Sequence, residues 1–218
     1  MVNIDIIKSP WQDVFINLLK SSKREIYLAS PFIKKQIAEI VAKNTSNNID
    51  IKYINSFKLS YFHRGVSDLS ALRIFNNNFV KQKSVHNLHA KLFIFDEQAI
   101  ITSGNLTTGG LRNNFEYGVL LKGEIVKNIK KDYLSLFNNK DYPKITIDIL
   151  EKAKNILSSV PKEKQSKLEI KNIDVFKETI SNENSVEKYD GGVESILLNL
   201  KFWEKDIFLC LLQISKDV

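Results

Sequence analysis

The segment His89-Ala-Lys91-Leu-Phe-Ile-Phe-Asp96, continued two residues later by Ala99-Ile-Ile-Thr-Ser103-Gly-Asn105, is the most informative part of this chain. Two apolar runs flank turn-forming residues, which predicts a pair of strands at 89–95 and 99–102. Because side chains alternate between the two faces of a strand, His89 and Lys91 should emerge side by side. Core packing requires no such pair, whereas an imidazole beside an ammonium can attack and hold an anionic group.

The apolar patterns on either side of this strand pair alternate between helical and strand spacing. Ser9 and Pro10 predict the cap and first position of a helix that carries Trp11, Phe15 and Leu19. Further helices are predicted over residues 33–44, 67–75 and 125–137, and further strands over 25–29, 49–54, 79–85 and 115–121. Strands interleaved with helices indicate an α/β fold in which helices flank a mixed sheet.

The alternation of strand and helix patterns ends after Tyr142-Pro143. We therefore predict a catalytic domain at 1–143 and a helical C-terminal region at 144–218. Two helices are expected in that region, at 147–160 and 193–214, with a charged stretch between them. The second is strongly apolar, so it either covers a core, which we favour, or pairs with a partner subunit.

The positive charge of this chain is concentrated in its first half. Residues 1–122 contain 16 Lys and Arg against 9 Asp and Glu, whereas residues 123–218 contain 16 of each kind. A basic surface attracts polyanions in a salt-dependent way, although lysine-rich surfaces also serve solubility. The half that contains His89 is thus the half expected to meet a polyanion.

The composition also limits the compartment of the protein. The single Cys210 forbids an internal disulfide and suits a reducing environment. The N-terminus lacks the features of a signal peptide, and no apolar run approaches the roughly 20 residues that span a bilayer. We therefore predict a soluble, cytoplasmic protein that does not associate with a membrane.

The spacing His-x-Lys-x4-Asp, followed by Ser-x-Asn, resembles the signature of the phospholipase D superfamily. It is carried here by His89, Lys91, Asp96, Ser103 and Asn105. Where the family commonly has Gly before the serine, this chain has Thr102. Further resemblance lies in Ser30-Pro31-Phe32, in the turn at 105–110 and in the stretch Asn114-Phe-Glu116-Tyr-Gly118-Val. The resemblance covers roughly residues 1–145 and implies a phospholipase D-like fold with phosphodiesterase activity that needs no cofactor.

The resemblance also implies a role for each motif residue. His89 would attack phosphorus and form a phosphohistidine, while Lys91 and Asn105 hold the phosphate oxygens. Ser103 would hydrogen-bond those oxygens or fix the turn, and Glu116 would orient a histidine. Asp96, at an odd offset from His89, faces the other side of the strand and is assigned a structural role. Arg112 is a further candidate for binding substrate, although a solvated surface role would also explain it.

One histidine cannot serve as nucleophile and as leaving-group acid on opposite sides of the same phosphate. The superfamily combines two copies of the motif at one site, but this chain has a single copy, since His63 and His86 lack a lysine two residues later. We therefore predict a homodimer with a composite active site. No carboxylate cluster accompanies His89, and His86 and His89 lack further ligands, so we predict no metal site.

Three functions remain open after this reasoning. The first is a metal-independent nuclease, most readily a DNA endonuclease of a restriction or defence system. The second is a phospholipid phosphodiesterase or phosphatidyltransferase, and the third is a non-catalytic subunit that binds nucleic acid. The basic catalytic half and the single motif favour the nuclease, and the complete set of motif residues argues against the third. Whether the substrate is DNA or RNA, and single- or double-stranded, stays open.

Overall fold

A computed structural model of the chain describes residues 3–160. The strands are β1 (Asn3–Lys8), β2 (Glu25–Ala29), β3 (Asp50–Asn55), β4 (Lys81–Ser84), β5 (Leu92–Phe95), β6 (Gln98–Thr102) and β7 (Tyr117–Lys122). The helices are α1 (Gln12–Ser21), α2 (Lys35–Asn44), α3 (Leu59–His63), α4 (Leu69–Asn77), α5 (Glu124–Asn138) and α6 (Ile147–Ser159), with a π-helical turn at Gly109–Asn113. The predicted second helix of the C-terminal region, at 193–214, lies outside the described residues.

The seven strands form one mixed sheet in the order β1-β7-β6-β5-β2-β3-β4. Strand β2 pairs in parallel with β3 and antiparallel with β5, so parallel and antiparallel halves meet at β2. This confirms the predicted α/β class with a mixed sheet. Because Ala29 pairs with Leu92, the start of β5 lies at the carboxyl ends of β2, β3 and β4, and the motif residues therefore lie at that end of the sheet.

Helices cover both faces of the sheet because alternate strand residues are apolar on each side. On one face, Trp11 and Phe15 of the α1 region pack against Phe93 of β5, and α2 and α4 complete this core. On the other face, Tyr133 and Phe137 of α5 form a smaller core with Tyr27 of β2. No helix within residues 3–160 has the length and hydropathy needed to cross a membrane.

Two local predictions were wrong, and one strand was not predicted. Strand β5 begins at Leu92, so His89 and Lys91 precede the strand, although the Lys91 carbonyl still accepts the Thr102 N–H at 3.2 Å. Helix α1 begins at Gln12, and Ser9 does not cap it. Strand β1 was not predicted, because most of its residues are exposed and its pairing with β7 holds it in the sheet.

The proposed boundary at residue 143 stays a prediction. Helix α6, expected in the C-terminal region, packs against α3 and α4, and its Leu150 and Ala153 are buried. Its attachment also includes an ion pair between Arg73 of α4 and Glu151, at 2.5 Å. The described chain thus continues past residue 143 without a visible break.

Candidate active site

The His89 and Lys91 side chains lie next to one another where the chain enters β5. The Lys91 Nζ lies 3.4 Å from His89 Nδ1 and 3.3 Å from Nε2, and it donates to the His89 carbonyl oxygen at 2.8 Å. Lys91 is buried, with 9% of its surface exposed, whereas the imidazole is exposed. A reactive ring therefore faces solvent with an ammonium fixed beside it.

Burial and one nearby carboxylate act in opposite directions on Lys91. Burial lowers the pKa of Lys91 below its ordinary value of 10.5, and the charge of Glu116 partly offsets this effect. Glu116 is thus close enough to act electrostatically on the ammonium. A lysine whose folded-state pKa is lowered disfavours the folded state while it carries a proton.

The Glu116 side chain is held by two neighbours. The Ser103 hydroxyl donates to Glu116 Oε2, and Asn114 Nδ2 donates to Oε1 at 3.2 Å. The main chain of Glu116 is fixed by Ser9, whose Oγ accepts the Glu116 N–H at 3.0 Å and whose N–H donates to the Glu116 carbonyl at 3.1 Å. Within one chain, no hydrogen bond joins Glu116 to His89. The role of Glu116 in orienting a histidine stays a prediction.

Close main-chain packing positions the loop that carries Asn105. A Cβ atom on Gly110 would lie 2.3 Å from the Asn105 carbonyl oxygen, and one on Gly104 would lie 2.5 Å from the Gly110 oxygen. The Gly110 carbonyl also accepts the Trp11 Nε1–H at 2.8 Å. Asn105 Oδ1 lies 3.3 Å from the Ser30 hydroxyl, which accepts the Leu106 N–H. The turn thus fixes Asn105 between the end of β2 and the π-helical turn.

A shallow groove opens beside His89. It has a volume of about 430 Å³ and is lined by His89, Ala90, Lys91, Leu92, Ile101, Thr102 and Ser103. The His89 imidazole, the Lys91 ammonium and the Ser103 hydroxyl, which contacts Glu116, therefore border one space.

The comparison with known families identifies the family of the chain. A family described as "Cardiolipin synthase, PLD-like domain" matches residues 15–140. The chain belongs to this family. The match spans β2 to β7 and so contains all of the predicted motif residues.

Among proteins related to this PLD-like chain is the DISARM protein DrmC of Bacillus paralicheniformis, which is 28% identical over 122 residues. That alignment covers 55% of this chain and 51% of DrmC, so the chain spans about half the length of this relative. Two solved structures share the fold. Nuc of Salmonella typhimurium, a phospholipase D family member, aligns with a TM-score of 0.57 at 15% identity, over 67% of this chain and 99% of Nuc. NucT of Helicobacter pylori aligns with a TM-score of 0.53 at 17% identity, over 63% and 96% of the two chains.

Two predicted residues of the PLD-like chain lie apart from the others. Asp96 follows β5 at the opposite end of the strand, and its carboxylate accepts the N–H groups of Lys23, Arg24 and Glu25 at 2.7–3.1 Å. Burial alone would raise the pKa of Asp96, but these three donors outweigh it and lower the pKa. These contacts support a structural role. Arg112 is exposed near the end of the π-helical turn, and its part in substrate binding stays a prediction.

Residues 3–160 contain no group of three or more His, Cys, Asp and Glu side chains that could hold a metal ion.

The supporting roles of Ser9 and Ser30 were missed by the sequence reasoning. Both serines contact residues more than 70 positions away in the chain, and no local pattern marks such contacts.

Proposed function

We propose that this chain is a metal-independent nuclease that cleaves DNA through a phosphohistidine formed on His89. The proposal rests mainly on one observation: an exposed imidazole with a buried ammonium 3.3–3.4 Å from both of its nitrogens, in a chain of the PLD-like family. Part of the proposal is a restriction or defence role, as the sequence predicted.

Cleavage would proceed by two in-line displacements at phosphorus. In the first, a ring nitrogen of His89 bonds to phosphorus, the bond to the leaving oxygen breaks, and that oxygen takes a proton from a second imidazole. In the second, water attacks the phosphohistidine and gives its proton to the second imidazole, which releases His89 and the phosphate end. Lys91 and Asn105 would stabilise the negative charge on the non-bridging oxygens, while Ser103 and Glu116 keep the site in position.

The second imidazole would come from His89 of a second copy of the chain. A row of apolar residues on the α5 face of the sheet offers a surface for that copy: Ile6, Val119, Ile101 and Leu92 are neighbours across β1, β7, β6 and β5. We call these four residues the apolar row. Ile6 is 64% exposed and Ile101 44% exposed, and the row ends at the groove beside His89. Contact between two such rows would therefore bring the two active sites together.

The nature of the substrate can be tested directly. We expect the purified chain in excess EDTA to cleave plasmid or single-stranded DNA, and to leave phosphatidylglycerol vesicles uncleaved. Gel electrophoresis and lipid chromatography would measure the products. Release of a lipid headgroup without DNA cleavage would replace this proposal with the phospholipid phosphodiesterase. Loss of DNA cleavage in EDTA, restored by Mg²⁺, would contradict the metal-independent mechanism.

We expect Lys91→Met to lower the cleavage rate by about 10²–10³-fold, because a donor to the developing charge is removed. The same change should raise the free energy of unfolding at pH 7, since burial disfavours the protonated lysine in the folded state. As the pH rises through the lowered pKa toward 10.5, the proton leaves in the folded state and the advantage of Met should shrink.

Urea unfolding of both proteins at pH 7 and pH 10 would measure this difference. Lys20→Met is the matched control, because Lys20 is exposed near the end of α1 and should change neither rate nor stability. A Lys91→Met variant that is less stable than wild type at pH 7 would show that Lys91 stabilises the fold. A variant as active as wild type would show that Lys91 takes no part in the reaction.

A further inference from the structure

A second and larger groove lies at the β4 edge of the sheet, away from the row of apolar residues. It occupies about 1020 Å³ between β3, β4, the end of α5 and the segment that leads into α6. Its lining includes five lysines, which are Lys52, Lys81, Lys83, Lys140 and Lys144. The groove takes no part in the chemistry proposed for His89.

Only two of the five lysines have carboxylate partners in the described part of the chain. Asp50 forms ion pairs with Lys52 and with Lys81, the latter at 2.7 Å. Lys83, Lys140 and Lys144 form no ion pair within residues 3–160. The carboxylates nearest in sequence to Lys140 and Lys144 are the exposed Asp141 and Asp148, and neither of them lines the groove. The lining therefore keeps a net positive charge.

Lys83 is the most unusual of the three, because it is only 6% exposed. Its Nζ donates to the Asn139 carbonyl at 2.5 Å and lies 5.9 Å from the centre of the Phe137 ring. A carbonyl and a ring face provide only partial negative charge, and a buried ammonium is costly without a full counter-charge. An anion in the groove would supply that counter-charge.

The start of α6 adds a further positive potential, which the exposed Asp148 in its first turn offsets in part. Thr146 and Ile147 line the groove, and α6 is 13 residues long with no side-chain capping bond at Thr146. The free N–H groups at a helix N-terminus favour anions. Main-chain contacts fix this end of the helix to the sheet. The Ile145 N–H donates to the Gln82 carbonyl at 3.0 Å, and Lys144 pairs with Lys83 in an isolated antiparallel β-bridge.

We infer that this groove binds backbone phosphates of the nucleic acid whose scissile phosphate lies at His89; this inference rests on the proposed nuclease function. Lys83 precedes His89 by six positions, so their Cα atoms lie within about 22 Å. At 3.4 Å of rise per nucleotide, that distance corresponds to about six nucleotides of one strand. A nucleic-acid strand that contacts both His89 and the groove must therefore be longer than the few nucleotides that the active site alone would hold.

The test compares two double variants in an inactive His89→Ala background of the full-length chain. Lys140→Ala with Lys144→Ala removes two exposed charges from the groove. Lys20→Ala with Lys43→Ala removes two exposed charges from α1 and α2, which do not line the groove. Fluorescence anisotropy would measure the binding of a labelled 20-nucleotide DNA and of a trinucleotide, each over a range of salt concentrations.

We expect the groove variant to bind the 20-mer about tenfold more weakly and to reduce the slope of log affinity against log salt by about 1.4, that is, two lost contacts to a single strand. Trinucleotide binding should be unchanged, and the control variant should match its parent. Lys83→Met, which keeps the apolar stem, should weaken binding of the 20-mer in the same direction.

Equal losses in the groove and control variants would overturn the inference, since net charge alone would then explain them. An unchanged 20-mer affinity in the groove variant would overturn it while the nuclease function stands, provided that wild type cleaves DNA. Failure of wild type to bind or cleave any nucleic acid would refute both.

Discussion

Replacement of His89 by alanine is expected to lower DNA cleavage by on the order of 10⁴-fold, because the covalent pathway loses its nucleophile and, in a dimer, its acid as well. The substitution should leave the fold intact, since the imidazole is exposed and, within residues 3–160, its side-chain hydrogen-bond contacts are with Lys91. Single-turnover cleavage of a labelled DNA in EDTA would measure the loss, and circular dichroism would verify folding.

His86→Ala provides the matched control for this substitution. His86 is exposed three residues earlier, and the hydrogen bond recorded for it, from Ser56 Oγ at 2.7 Å, is made by its main-chain oxygen. We expect this variant to cleave at the wild-type rate. Equal activity of the His89 variant and wild type would place the chemistry elsewhere or identify a contaminating nuclease.

The second large effect is expected from the apolar row. Ile6→Glu combined with Ile101→Glu should convert the proposed dimer to monomers and reduce cleavage at least 100-fold, because each monomer then lacks the second imidazole. Burial of an isoleucine side chain contributes about 1.5–3 kcal/mol, and a two-fold interface would use each residue twice. Introduction of four carboxylates at such an interface adds repulsion between like charges.

Light scattering coupled to size-exclusion chromatography would measure the mass of each variant beside its cleavage rate. Val66→Glu with Ile156→Glu is the control, since both residues are also exposed and apolar but lie outside the row. We expect this protein to remain dimeric and active. A row variant that is monomeric yet fully active would refute the composite site, and one that remains a dimer would place the interface on another surface.

The sequence predicted the architecture well because that architecture follows from local patterns. Apolar residues at helical spacing placed α2, α4 and α5, and short apolar runs placed β2, β3 and β6, since these patterns reflect which side of an element is buried. Strand β1 escaped prediction because its stability comes from pairing with β7, more than 100 residues away.

The candidate site was predictable only in part for the same reason. The proximity of His89 and Lys91 agrees with their spacing of two residues, although both precede β5 and do not alternate within a strand. By contrast, the hydrogen bonds between Ser9 and Glu116, and the contact between Ser30 and Asn105, join distant parts of the chain. Such contacts depend on the complete fold, so they become visible only when the strands are assembled.

The tight packing of Gly104 and Gly110 against the Asn105 loop has a practical consequence for protein engineering. A loop that cannot accept one additional methyl group is a poor choice for randomised libraries, because most clones would lose the active conformation before any new specificity could be selected. Diversity is better introduced at the exposed Arg112, Asn113 and Phe115, which border the same loop and have room for larger side chains. Substrate preference could then be altered while the reacting groups keep their positions.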